Sequence, residues 1–244
     1  MKRQTTPRVL TKCILQELKT FSDPEKAAFY PHFFQTGPGQ YAEGDLFLGV
    51  TVPNIRQIAK KFWKESDLDT LSRALRDPYH EMRLCALIML VEKYQKEKNK
   101  NAKEAYVQFY LSHLDHVDNW DLVDTSAPSI LGHWLLDKDK SLLYFLATSG
   151  HLWKERISII STLHFIRKGH MDDTFRIAEI LLSHPHHLIH KATGWMLREV
   201  AKRDYENCYS FLKDHYKTMP RMMLRYAIER FDEPVRKGFL SGLI

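Results

Sequence analysis

A loose internal repeat runs through most of this chain. Five segments open with a polar or aromatic residue and continue into a dense apolar face: Arg83-Leu-Cys-Ala-Leu, Trp120-Asp-Leu-Val-Asp, Arg156-Ile-Ser-Ile-Ile, Lys191-Ala-Thr-Gly-Trp and Arg225-Tyr-Ala-Ile. Their successive offsets are 37, 36, 35 and 34 residues. A period of this size marks a supersecondary unit that cannot bury its apolar face alone and must stack on its neighbours. The units are helical. Ile55-x-x-Ile58-Ala59-x-x-Phe62-Trp63 and Leu84-x-x-Leu87-Ile88-x-x-Val91 repeat apolar residues three and four apart, and strand alternation is nowhere sustained. Asp23-Pro24-Glu25 and Asp77-Pro78 each place a capping side chain before a proline, predicting two helix starts.

The expected fold is therefore all-α, a helical repeat solenoid of the HEAT or armadillo kind, with units slightly shorter than the usual ~40–47 residues. Partner helices are predicted over 101–113 and 172–182. Residues 1–244 read as a single domain. An inserted segment at 35–45, QTGPGQYAEGD, carries Gly37, Pro38, Gly39 and Gly44 and reads as a loop or short hairpin. If the repeated positions mark an inner concave wall, that wall carries Arg83, Trp120, Arg156, Lys191 and Arg225, and the positive charge lies along one basic groove.

Charge agrees with a polyanionic partner. Lys and Arg total 36 against 30 acidic residues, a formal charge of +6, with 13 histidines in addition. Cations spaced along a curved wall can follow the phosphates of a duplex, and the absence of a recognition-helix or zinc-finger pattern predicts contacts to the backbone more than to base edges. No apolar run is long enough to span a membrane, and the basic start at residues 1–8 is not followed by an apolar stretch with a cleavage site. Cys13, Cys85 and Cys208 are odd in number and set among apolar neighbours, predicting reduced, buried thiols in a cytoplasmic protein.

One repeat breaks the basic pattern. Trp120 and Asp124 stand four residues apart, on one helix face, where the other repeats place a cation. Arg156 follows one repeat later, placed in a stacked array to pair with Asp124 and keep it ionised. Trp195, at Lys191 plus four, shares the register of Asp124. Indole faces attract a cation, and a carboxylate beside a sugar stabilises a developing oxocarbenium ion, by about 4 kcal/mol at 4 Å and an effective dielectric of about 20. That is the chemistry of N-glycosidic bond hydrolysis. The same four residues also fit two core tryptophans and a structural ion pair, and spacing does not separate the two readings.

The stretches Asn119 to Asp124, Leu152 to Arg156 and Ile189 to Glu199, with Phe47-Leu-Gly-Val-Thr-Val-Pro53, resemble the HEAT-like repeat DNA glycosylases of the AlkD type, and the similarity runs over nearly the whole chain. The resemblance implies excision of cationic N3- or N7-alkylated purines from double-stranded DNA by a monomer that uses no metal and no cofactor. It casts Asp124 as the catalytic carboxylate, Arg156 as its partner, and Trp120 and Trp195 as aromatic walls at the lesion. Lys191, Arg198, Arg225 and Arg83 become backbone contacts. Phe33 stands where the family enzyme uses a tyrosine, and it lacks the hydroxyl; Tyr30 is the other candidate for that role. Insertions like 35–45 occur in members that bind branched DNA, so a non-catalytic binder of branched or damaged DNA is an alternative, and a HEAT-repeat protein scaffold is a further one.

Other signals are weaker. His186 and His190 share a helical spacing but lack a third ligand, and read as a polar helix start. Ser126, Ser129 and His133 have no nucleophile elbow around them. The stretch from Met219 to Tyr226 fits the last helix of the array, with Arg221 and Arg225 as phosphate contacts.

Overall fold

The computed structural model describes residues 6–244, so residues 1–5 of the basic start lie outside the described part. The described residues divide into two compact units, one ending at residue 126 and the other covering 127–244. Both are built of helices, and among the described residues the only sheet-like pairing is an isolated bridge between Leu46 and Tyr79. No described helix is long and apolar enough to cross a membrane.

The first unit contains α1 (Pro7–Thr20), α2 (Pro24–Phe33), α3 (Val52–Phe62), α4 (Leu68–Leu75), α5 (His80–Lys96), α6 (Lys100–Ser112) and α7 (Trp120–Ala127). Short polar residues start several of them. The Asp23 carboxylate accepts the amides of Glu25 and Lys26, Asp67 accepts that of Thr70, and Asn99 those of Asn101 and Ala102. Asp77-Pro78 does not open a helix. Asp77 accepts the Tyr79 amide in a turn, and α5 begins at His80, because Tyr79 and Leu46 first pair as a bridge. α5 packs on α3, α4 and α6, and its Met82, Leu84, Ala86, Leu87, Met89 and Leu90 are all buried. A helix apolar nearly all round is a central one.

The second unit contains α8 (His133–Leu135), α9 (Ser141–Ala147), α10 (Leu152–Arg167), α11 (Asp172–Leu181), α12 (His187–Ala201), α13 (Tyr205–His215), α14 (Arg221–Ala227) and α15 (Glu233–Ser241), preceded by a π-helical turn over Pro128–Gly132. Here α10 packs on α12 and α12 on α14, with α9, α11 and α13 as partners. α10 buries Ser158, Ser161 and Thr162 among isoleucines; each hydroxyl donates to a carbonyl of its own helix, at Glu155, Ile157 and Ile159. Gly194 of α12 faces the Met223 carbonyl of α14 so closely that a Cβ there would lie 2.5 Å from the oxygen. The predicted helices at 101–113 and 172–182 correspond to α6 and α11, and the five repeated positions all fall within the first five residues of α5, α7, α10, α12 and α14.

Two further sequence expectations are corrected, one on burial and one on helix order. Cys13 is exposed while Cys85 and Cys208 are buried, since α1 turns Cys13 away from its apolar face of Leu10, Ile14 and Leu18. α14 is not the last helix, because Asp232 and Pro234 start another. Of the loop or short hairpin expected at 35–45, the structure has the loop, a series of turns with Gln35, Gly39 and Gly44 at positive φ. Its end is pinned to the core, and the following residues dock on α5. Buried Glu81 accepts the amides of Leu48, Gly49 and Val50 at 2.8–3.2 Å, and Gly49, at φ 79°, sits where a Cβ would collide with the backbone of Asp23 and Ala27.

Glu81→Ala strands three buried amides, each worth about 1–3 kcal/mol when left unpaired, so a loss of roughly 3 kcal/mol or more is expected in urea unfolding. Gly194→Ala is expected to cost about 1–3 kcal/mol through forced separation of α12 and α14, and an unchanged urea midpoint would contradict that close approach.

Candidate active site

The residues singled out in the sequence are best described unit by unit. In the first, Trp120 is the opening residue of α7 and Asp124 lies one turn on, on the same face. Asp124 is half-buried. The helix is steadied from below by Tyr110, whose buried hydroxyl meets Ser126 Oγ at 2.9 Å, while Ser126 Oγ donates to the Leu122 carbonyl at 2.7 Å. Burial raises the Tyr110 pKa, partly relieved by Ser126, and the Asp124 charge pushes it further up.

Trp120 is also half-buried, and its neighbours are aromatic. It stacks on Phe34 with centroids 5.5 Å apart and planes 14° from parallel, and Phe33 meets it edge-on at 6.0 Å. Phe34 in turn stacks on Phe47 at 5.0 Å, with Tyr30 edge-on to both. Phe33 is 51% exposed and stacks with Phe29, 56% exposed, so the cluster reaches the surface. Beside these rings lies a mostly apolar cavity of about 250 Å³, lined also by Val50, Val52, Ile55 and Leu84 and touching His80, Glu81 and Asp121. Sequence reasoning singled out Phe33 and Trp120 but missed Phe34, Phe47, His80 and Asp121. The aromatic run Phe29-Tyr-Pro-His-Phe-Phe34 was the one available signal.

Below the cavity is a buried polar network. His80 is held on both ring nitrogens, Nδ1 by Asp45 at 3.2 Å and Nε2 by Asp121 at 2.8 Å. Burial opposes its charge, but the Asp121 carboxylate and the hydrogen bonds from Asp121 and Asp45 outweigh it, raising the imidazole pKa to about 9. Asp45 is itself held below the usual carboxylate range: desolvation acts upward, and His80 and Arg83 overcome it. Arg83 is 5% exposed and does not present its charge on an open wall. Its guanidinium donates to Asp45 at 2.6 Å and to the Asp77 carbonyl at 3.3 Å, with Asp118 at 3.4 Å, because the turns before α5 and α7 leave carboxylates and carbonyls that need a cation.

In the second unit Arg156 is likewise interior, 4% exposed, and donates to the Leu188 carbonyl at 2.7 Å, tying α10 to the first turn of α12. Lys191 and Trp195 are half-buried on α12. The Trp195 indole donates to Glu199; burial works to raise the Glu199 pKa, but Lys202 and this indole bring it below its ordinary value. Arg198 is engaged by Glu229, whereas Arg225 on α14 is exposed. His186 and His190 are occupied structurally. His186 Nδ1 accepts the Leu188 amide at 3.1 Å as the cap of α12, and His190 Nε2 meets the His184 carbonyl at 2.5 Å. Burial, then the neighbouring cationic side chains, lower the His186 pKa to about 4, leaving the ring neutral to accept.

The His80 network makes stability depend on pH. A folded pKa near 9 against about 6.5 unfolded means a contribution fully present below 6.5 and lost as pH rises through 9, on the order of 3 kcal/mol. Urea midpoints should fall over that window, and the fall should be largely absent in His80→Asn.

Residues 14–231 match the family model described as DNA alkylation repair enzyme. Among solved structures, a predicted DNA alkylation repair enzyme from Enterococcus faecalis superposes with a TM-score of 0.68, covering 87% of this chain and 97% of its own at 16% identity, a likeness of fold. No curated protein matches the sequence.

Proposed function

The chain belongs to the DNA alkylation repair enzyme family, and from that premise we propose that it is a DNA glycosylase that hydrolyses the bond between deoxyribose and a cationic N3- or N7-alkylated purine in duplex DNA. The observation that carries this reading is the placement of Asp124: a half-buried carboxylate one turn from a half-buried tryptophan on α7, neither sealed in the core. Departure of an alkylated purine leaves positive charge on the sugar. A partly desolvated carboxylate in that place stabilises the charge and orients the attacking water without reorganising. The base is itself a good leaving group because its charge is neutralised as the bond breaks, so no metal or cofactor is required by the mechanism.

Within this proposal Trp120 and Trp195 contact the lesion nucleotide, and Lys191 and Arg225 contact the sugar–phosphate backbone. Arg198 would do so only by leaving Glu229, and Arg83 stays within the fold. Arg156, cast by the resemblance as the partner of the acid, is a positioning residue whose donation to Leu188 orients its guanidinium. A HEAT-like array with a basic concave groove is the framework of the same proposal. It is supported by the recurrence of the repeated positions at the starts of α5, α7, α10, α12 and α14. The branched-DNA alternative rests on the 35–45 insertion, which is present as a series of turns.

Mass spectrometry of bases released from methylated duplex DNA tests the reading. Wild-type protein should release 3-methyladenine or 7-methylguanine, and Asp124→Asn should release them at least about a hundredfold more slowly, the scale set by losing one preorganised electrostatic group. Equal release by both removes Asp124 from the mechanism. Duplex affinity should also fall steeply with salt, and flat salt dependence would favour a protein scaffold.

A further inference from the structure

A second cavity, of about 400 Å³, opens along α4 in the first unit. It is lined by Asp69, Ser72, Arg73 and Arg76, none of which takes part in the candidate site on α7. These four residues stand three and four apart and so share one face of the helix, while Thr70, Leu71, Ala74 and Leu75 are buried on the other. The lining is therefore wholly polar, and its donors and acceptors are sharply divided.

The donors are two arginines with nothing to bond. Arg73 and Arg76 are exposed, and among the described residues no carboxylate or carbonyl lies within bonding reach of either guanidinium, although Asp69 stands one turn before Arg73. Two planar forks one turn apart match the oxygens of a phosphate group.

The acceptors are set by a relay behind the cavity. His113, buried at the end of α6, places Nδ1 2.8 Å from the Phe109 carbonyl. That carbonyl can only accept, so Nδ1 carries the proton and Nε2 is left as an acceptor. Burial lowers the His113 pKa; the Phe109 carbonyl acts against it, and Arg76 and His116 add to the lowering, so the ring stays neutral. The Ser72 hydroxyl, 2.9 Å from Nε2, therefore donates inward and keeps only lone pairs for the cavity. Ser72 and Asp69 thus offer acceptors, and Arg73 and Arg76 offer donors. A bare phosphate ion would satisfy the arginines but be repelled by Asp69. An occupant that satisfies both halves carries an anionic phosphate and, beside it, hydroxyl groups. The volume, in the lower part of the ~300–1,000 Å³ range of small-ligand sites, also exceeds what a phosphate ion fills.

The geometry points to a second binding site, for a sugar phosphate or the sugar-phosphate part of a mononucleotide: Arg73 and Arg76 hold the phosphate, and Asp69 and Ser72 accept from sugar hydroxyls. This site is independent of the glycosylase reading, since it shares no residue with the machinery proposed for base release.

Isothermal titration of the full-length protein at low salt with ribose 5-phosphate, inorganic phosphate and ribose tests it. Ribose 5-phosphate should bind about tenfold more tightly than phosphate, and ribose should show no binding. The double variant Arg73→Gln, Arg76→Gln, at two exposed positions, should lose both phosphate ligands. Asp69→Ala should bind inorganic phosphate more tightly than wild type while losing most of the preference for the sugar phosphate, a pair of opposite changes that a merely weakened fold would not produce. Unchanged thermal unfolding identifies each variant as folded. AMP separates the two sources: affinity equal to or above that of ribose 5-phosphate admits nucleotides, and weaker binding restricts the site to free sugar phosphates. Equal affinity for phosphate and ribose 5-phosphate, no binding of either, or full binding by the folded double variant overturns the inference. So does displacement of ribose 5-phosphate by unphosphorylated duplex DNA, whose internal phosphates have no sugar hydroxyl beside them.

Discussion

The first unit depends on one buried carboxylate. Glu81 accepts three consecutive backbone amides, from Leu48, Gly49 and Val50, in a place where water has no access to them. An irregular segment can be brought into a core only if its polar groups are satisfied there, and a carboxylate on a rigid helix is a strong way to do it. The two flanking residues of the same turn extend the arrangement: His80 holds Asp45 and Asp121, and Arg83 holds Asp45 and two carbonyls. Three side chains from the first turn of α5 thus fix the end of the turn-rich segment and the start of α7 together.

Fixing α7 is what gives the candidate site its geometry. Because Asp121 is bound to His80, the helix is held at its N-terminus, and Trp120 is pressed onto Phe34 while Asp124 stays on the same side one turn further on. The network is therefore a positioning device for the indole and the carboxylate. It also explains why the few polar groups that touch the mostly apolar cavity offer almost no free donors or acceptors: they are engaged in holding the walls.

The second unit solves a different problem, close contact between long helices. Small residues let the backbones approach, with Gly194 against Met223 and Gly132 against the Ser161 backbone, and buried hydroxyls on α10 bond to their own helix, so no partner is needed across the interface. Arg156 ties α10 to the beginning of α12, and His186 caps that same end as a neutral acceptor. Lys191 and Trp195 are carried by the helix so anchored.

Much of this was legible in the amino-acid order. Period, apolar spacing and capping residues determined that the chain is helical and where most helices lie, because these are local properties of the backbone and of neighbouring side chains. The pairing of Trp120 with Asp124 on one face was likewise local, a matter of four residues in a helix. What the order of residues could not decide was which charged groups face inward. Arg83 and Arg156 occupy repeat positions equivalent to those of Lys191 and Arg225, yet two are buried and one of the others is exposed. That outcome depends on carbonyls and carboxylates that distant segments deliver, Asp45 to Arg83 and Leu188 to Arg156, and only folding brings a cation and its desolvated partner together. The aromatic cavity is a product of the same kind: Phe34, Phe47 and Trp120 are far apart in the chain, and their stacking exists only once the Glu81 and His80 contacts have folded the intervening turns against α5.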